Sequence, residues 1–111
     1  MAFLRAGNLD DLWDGEMRGI SLGERKVLLV NVGGQVTAFI DRCAHQAFPM
    51  SRGTLVDGQL VCGAHQWVYD ARTGKGVNPP GACLRALPIR VEAGSIWVDP
   101  EGESEEVHGG C

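Results

Sequence analysis

A chain of 111 residues, 44% apolar and 22% charged, has the size and mix of one globular domain, able to bury roughly two-thirds of its unfolded surface around a single core. Its 10 basic residues against 14 acidic ones leave a formal charge of -4, which argues against a protein that tracks nucleic-acid phosphates. Residues 101–111 hold four of those acids and no base, so the 100 residues before them are formally neutral. Met1-Ala2-Phe3-Leu4-Arg5 lacks the basic stretch and long apolar run of a secretory leader, and no apolar segment approaches the ~18 residues of a membrane span. The expected location is the cytoplasm, without membrane association, where four cysteines serve better as reduced metal ligands than as disulfides.

Taken in chain order, Asn8 is placed to cap a short helical turn through Leu9-Asp10-Asp11-Leu12-Trp13, closed by Asp14-Gly15. The period then becomes that of strands. Lys26–Val32 and Gln35–Asp41 flank Gly33-Gly34, a pair suited to a two-residue hairpin turn. Thr54–Val56 and Gln59–Val61 straddle Asp57-Gly58 in the same way, and Leu87–Glu92 is separated by Gly94-Ser95 from Ile96-Trp97-Val98. Three hairpins with short connections predict an antiparallel all-β domain, because parallel strands need longer crossovers. Trp13 and Trp97 are expected in the core. Two stretches that contain Gly and Pro, Cys43 to Gly53 and Gly74 to Cys83, read as irregular loops, the places on a β scaffold where chemistry gathers. From Glu101 the chain has too little apolar content to fold by itself.

Those loops hold the informative pattern. Cys43-x-His45 follows one strand, and Cys62-x-x-His65 follows another after 16 intervening residues, so each loop offers one thiolate and one imidazole. Structural zinc sites more often pair Cys with Cys and His with His at short spacing. Mixed pairs suit a [2Fe-2S] cluster in which two cysteines hold one iron and two histidines the other, while a Cys2His2 zinc module stays open as an alternative. Cys83 reads as a small buried or loop residue, Cys111 as an exposed oxidisable thiol on a polar tail, and His108 has no suggestive neighbour.

Cys43-Ala44-His45-Gln46, Cys62-Gly63-Ala64-His65-Gln66-Trp67, the turn Asp70-Ala71-Arg72-Thr73-Gly74 and Asn78-Pro79-Pro80 together resemble a small Rieske ferredoxin, over about Phe3 to Asp99. Within that family Ala-His-x-Trp and Gly76-x-Asn78-Pro79 are most similar to the ferredoxin of multicomponent toluene monooxygenases. The resemblance implies an antiparallel β-sandwich or partly open barrel spanning residues 1–101 with a cluster-binding subdomain at about 43–82, and composition makes residues 102–111 an expected acidic flexible tail. It implies one [2Fe-2S] cluster, with Cys43 and Cys62 on the inner iron and His45 and His65 on the outer one. Two ferric ions, two sulfides and two thiolates sum to zero charge, so burial of the oxidised cluster adds no net charge. Gly63, Gly74, Gly76 and Gly81 are expected to let backbone amides approach it, and Trp67 and Tyr69 to shield it.

High-potential members of the family carry extra cysteines at the places of Phe48 and Ala64 and a sulfide-bonding serine at the place of Trp67. Lacking these, the chain is expected in the lower part of the Rieske range of roughly -150 to +300 mV. Ala47, Phe48, Pro49, Met50, Pro79 and Pro80 flank the cluster loops, and part of this set is expected to form an apolar docking rim. The implied function is one-electron transfer by a monomer, from an NADH-dependent flavin or iron-sulfur reductase to a terminal di-iron oxygenase of aromatic hydrocarbons. A dioxygenase ferredoxin and a nitrite reductase small subunit are the related alternatives. No nucleophile with an adjacent base and no nucleotide fingerprint indicates catalysis by the chain itself.

Overall fold

The computed structural model describes residues 3–42, 49–63, 66–78, 84–100 and 102. Among them are β1 (Leu4–Asn8), β2 (Met17–Leu22), β3 (Arg25–Val32), β4 (Gln35–Ile40), β5 (Thr54–Val56), β6 (Gln59–Val61), β7 (Val68–Asp70), β8 (Gly76–Asn78), β9 (Ile89–Glu92) and β10 (Ser95–Val98). They form three antiparallel sheets, ordered β1-β10-β9, β2-β3-β4 and β5-β6-β7-β8. The only helical turns among the described residues are 3-10 turns at Leu9–Asp11 and Met50–Arg52, and the described strands close no barrel. The all-β antiparallel architecture is the one the hairpin spacing predicts.

The middle sheet explains the layering. Val27, Leu28, Leu29 and Val30 of β3 are all buried, the signature of a strand covered on both faces. Because successive side chains alternate, Val27 and Leu29 join Val36, Ala38, Ile96 and Val98 in one core, shared with the β1-β10-β9 sheet. Leu28 and Val30 join Phe39, Leu60, Tyr69 and Leu84 in a second core, shared with the β5-β6-β7-β8 sheet. The Thr37 hydroxyl reinforces that junction by donating to the Ala71 carbonyl at 2.9 Å.

Turn chemistry sets the registers. Gly33 and Gly34 (φ 63° and 87°) close the β3-β4 hairpin, and Asp57 and Gly58 (φ 49° and 76°) close β5-β6. The last hairpin turns at Ala93-Gly94, one residue earlier than the expected Gly94-Ser95, and β9 starts at Ile89 instead of Leu87. A two-residue turn of this hand needs positive φ at both centres; Gly94 in second place supplies it freely, and Ala93 accepts φ 51°. That register points Ile96 and Val98 inward and leaves Trp97 half-buried outside both cores, against the expectation that it is a core residue.

Strands β1, β2, β7 and β8 have too little alternation to be seen in the sequence. Asn8 makes no side-chain cap; its Oδ1 accepts from the Arg5 guanidinium instead. The helical turn it was expected to open is a single 3-10 turn. Trp13 is the larger correction. Leu12 fills the core position, and Trp13, its neighbour, is 71% exposed, with its indole N–H donating to the Asp10 carbonyl at 2.7 Å.

Candidate metal centre

The β5-β6-β7-β8 sheet sends several connections out at one end. Thr54, the first residue of β5, pairs with Val61, the last of β6; Val61 also pairs with Val68, the first of β7, which pairs with Asn78, the last of β8. The segment ending at Gly53, the turn Cys62–Trp67 and the segment leaving Asn78 therefore share that end, with the Asp57-Gly58 turn at the other. Strand pairing alone brings the described bases of the two expected cluster loops, at Gly53 and at Cys62, to one end.

Their bases touch. A Cβ on Gly53 would overlap the Val61 carbonyl oxygen, so only glycine lets the end of the first loop lie against the residue preceding Cys62. The Cys62 amide donates to the Trp67 carbonyl at 2.8 Å and the Gln66 amide to the Cys62 carbonyl at 2.9 Å, which ties the second loop across its base. Gln66 holds φ 56°, a left-handed conformation uncommon outside glycine and indicative of a tightly determined turn. Cys62 is fully buried, in the same apolar cluster as Met50, Leu60 and Tyr69, with half-buried Trp67 packed against it.

Of the expected ligands, Cys62 is described, fully buried directly after β6. Cys43, His45 and His65 lie outside the described residues, as do Phe48, Pro79, Pro80, Gly81, Cys83, His108 and Cys111. Among the described residues no three His, Cys, Asp or Glu side chains gather at one point. Met50 is wholly buried and so is no part of an exposed rim, whereas Pro49 is half-buried. Gly74 has a different role from the one expected. Its amide donates to the Asp70 carbonyl, and a Cβ there would stand 2.9 Å from both the Leu84 carbonyl oxygen and the Phe39 ring, so its small size serves the second core.

Asp41 and Ser51 went unremarked in the sequence. The Ser51 amide donates to Asp41 Oδ1 at 2.7 Å and the Ser51 hydroxyl to Asp41 Oδ2 at 2.6 Å, across the base of the first loop. Nothing in their ten-residue separation marks them in advance.

Comparison with known proteins agrees with this geometry. Residues 2–88 match the Rieske [2Fe-2S] domain family. The chain is 42% identical over 94 residues to the ferredoxin component of an alkene monooxygenase system from Xanthobacter autotrophicus, covering 84% of this chain and 77% of the relative. It is 36% identical over 102 residues to the ferredoxin subunit of a biphenyl dioxygenase from a Pseudomonas species, covering 89% and 93%. The solved ferredoxin of carbazole 1,9a-dioxygenase from Nocardioides aromaticivorans superposes with a TM-score of 0.82 at 25% identity, over 91% of this chain and all 100% of that one. These relatives are electron-transfer components of oxygenase systems and not the catalysts. With the family matched over most of its length, a buried cysteine at the base of paired loops and the all-β scaffold, the chain belongs to the Rieske [2Fe-2S] family, as one of its ferredoxins.

Proposed function

We propose that this chain carries single electrons through one [2Fe-2S] cluster, held by Cys43 and Cys62 on the inner iron and by His45 and His65 on the outer iron. The observation that supports the ligand assignment is the position of Cys62: fully buried, directly after β6, at the end of the sheet where Gly53 also lies, the last residue of the loop that begins at Cys43 in the sequence. A buried thiolate among apolar groups suits the inner iron of a cluster that is neutral when oxidised, and would be a poor place for an uncompensated charge. Two thiols and two imidazoles also match the donor set that such a cluster requires.

When bound, the cluster supplies storage of one electron; the chain supplies its setting. Trp67 and Tyr69, packed with Cys62 in one apolar cluster, keep water from the inner side. The turn that carries His65 is fixed at its base by the Cys62 and Gln66 amides, which limits reorganisation between redox states.

The electron source is an NADH-dependent flavin or iron-sulfur reductase and the acceptor a terminal di-iron aromatic-hydrocarbon monooxygenase of the toluene monooxygenase type, each meeting the ferredoxin transiently as a monomer in the cytoplasm. Greater identity to the alkene monooxygenase ferredoxin than to the biphenyl dioxygenase ferredoxin supports a monooxygenase. The dioxygenase partner is the second reading, favoured by the near-complete coverage of the biphenyl relative. The likeness to a nitrite reductase small subunit, at 23% identity, concerns the fold alone. No helix among the described residues is long and apolar enough to cross a membrane.

Elemental analysis tests the site directly. The expected composition is two irons and two acid-labile sulfides per chain with a red-brown colour, taking up one electron; one zinc and no colour would establish the zinc module instead. Mixing the reduced protein with a purified di-iron monooxygenase and with a ring-hydroxylating dioxygenase then separates the two partners by rate.

A further inference from the structure

Asp41 and Ser51 stand on either side of the segment that carries Cys43 and His45. One carboxylate grips one residue twice, through the amide at 2.7 Å and the hydroxyl at 2.6 Å. Both are charge-assisted bonds in a partly buried setting, the stronger class of protein hydrogen bond. Each partner is itself anchored. The Asp41 amide donates to the Lys26 carbonyl at 2.9 Å, and Ser51 sits in a turn closed by Gly53 N–H donating to the Met50 carbonyl at 2.9 Å. Strand β2 lies close against the pair. A Cβ on Gly19 would stand 2.7 Å from Ser51 Cβ and Oγ and 2.9 Å from Asp41 Oδ2, so glycine at 19 leaves the room the pair occupies.

We propose that Asp41 and Ser51 are positioning residues, a polar clasp that closes the first loop at its neck and holds Cys43 and His45 in place for the cluster. It differs from a disulfide between the two loops, for which this chain has Phe48 and Ala64 in place of cysteines, in that it joins the two ends of one loop. The inference rests on the ligand assignment above. Release of half the ligands requires the neck to open, so weakening the clasp speeds cluster loss without altering any ligand.

The test uses the purified holoprotein and five variants. Ser51→Ala removes the hydroxyl bond, Asp41→Ala both bonds, and Gly19→Ala crowds the pair from a neighbouring strand. Asp41→Asn keeps the shape of the grip with neutral bonds. Asn31→Ala serves as a control: it removes the bond from Asn31 Nδ2 to the Leu12 carbonyl at 2.8 Å and the one Asn31 Oδ1 accepts from the Gly34 amide at 3.0 Å, in the fold but away from the neck. Three readouts are followed: bleaching of visible absorbance by an iron chelator, the EPR line positions of the reduced protein, and trypsin cleavage after Arg42.

Ser51→Ala and Gly19→Ala are expected to bleach on the order of tenfold faster than the parent, the effect of losing one hydrogen bond to a charged group. Their EPR lines shift and Arg42 is cut sooner, while Asp41→Asn falls between the parent and Asp41→Ala. Asn31→Ala lowers the melting temperature yet bleaches at the parental rate. Parental bleaching in both Ser51→Ala and Gly19→Ala, or equally fast bleaching in Asn31→Ala, would overturn the clasp. A parent that binds no iron or sulfide overturns the ligand assignment instead, and the trypsin pattern of the same variants still decides whether the neck is clasped.

Discussion

Trp67 shows how a single side chain connects packing with redox chemistry. It is half-buried against the apolar cluster that contains Cys62, and its carbonyl accepts the Cys62 amide at 2.8 Å. The indole carries no hydroxyl that could donate to the proposed cluster. A serine here would add a donor able to stabilise the more negative reduced state, while the backbone bond to Cys62 remains. Trp67→Ser is therefore expected to raise the midpoint potential on the order of 60 mV, the one-electron equivalent of about 1.4 kcal/mol, the net value of one good hydrogen bond. Protein-film voltammetry measures this, and an unchanged or lower midpoint would count against the account. Trp13 carries the complementary lesson: an aromatic side chain beside a filled core position faces solvent, whatever its hydrophobicity.

Among the strands, the short β5-β6 hairpin has the most consequential placement. Its Asp57-Gly58 turn was readable because only a few residue types accept positive φ, and the register that follows sets Gly53 against Val61. That contact aligns the bases of both loops. Gly53→Ala puts a methyl group into the Val61 carbonyl, and relief requires separating the first loop from the hairpin. The expected cost is about 1–3 kcal/mol of stability, with part of the population lacking iron. Thermal unfolding and iron content per chain measure the two effects; full iron content with a parental melting temperature would show that the contact relaxes easily. Strands β7 and β8 escaped the sequence reading because three residues give no usable periodicity, and they are strands here because β6 offers an edge to β7 and β7 in turn offers one to β8.

Across the whole molecule, charge is divided between a formally neutral body and an acidic end. The last strand finishes at Val98, and the Gly102 amide still donates to the Asp99 carbonyl at 3.3 Å, with Pro88 packed nearby. Deletion of residues 103–111 spares these contacts and removes three of the four acids beyond residue 100. The shortened protein is expected to keep its cluster, melting temperature and midpoint, with only the salt dependence of electron transfer altered, because screened charges act on encounter rates. Loss of the cluster would make the end structural.

Much of this protein was legible in the linear chain, for definite reasons. Glycine-containing pairs announce hairpins because positive φ is costly elsewhere, and the Cys-x-His and Cys-x-x-His pairs are informative because metal ligands must recur at short, defined spacings. The run Val27-Leu28-Leu29-Val30 marked a strand, but not that it would separate two cores. Which side of Trp13 meets water, why Gly74 must be small, and that Asp41 reaches Ser51 across the neck of a loop were settled only by tertiary structure. Each depends on groups distant in sequence: the strand residues that take Leu12 into the core and leave Trp13 outside, Phe39 and Leu84 against Gly74, Gly19 beside the Asp41–Ser51 pair. Local rules act through φ, spacing and periodicity; long-range packing acts through whatever the folded chain happens to bring within reach.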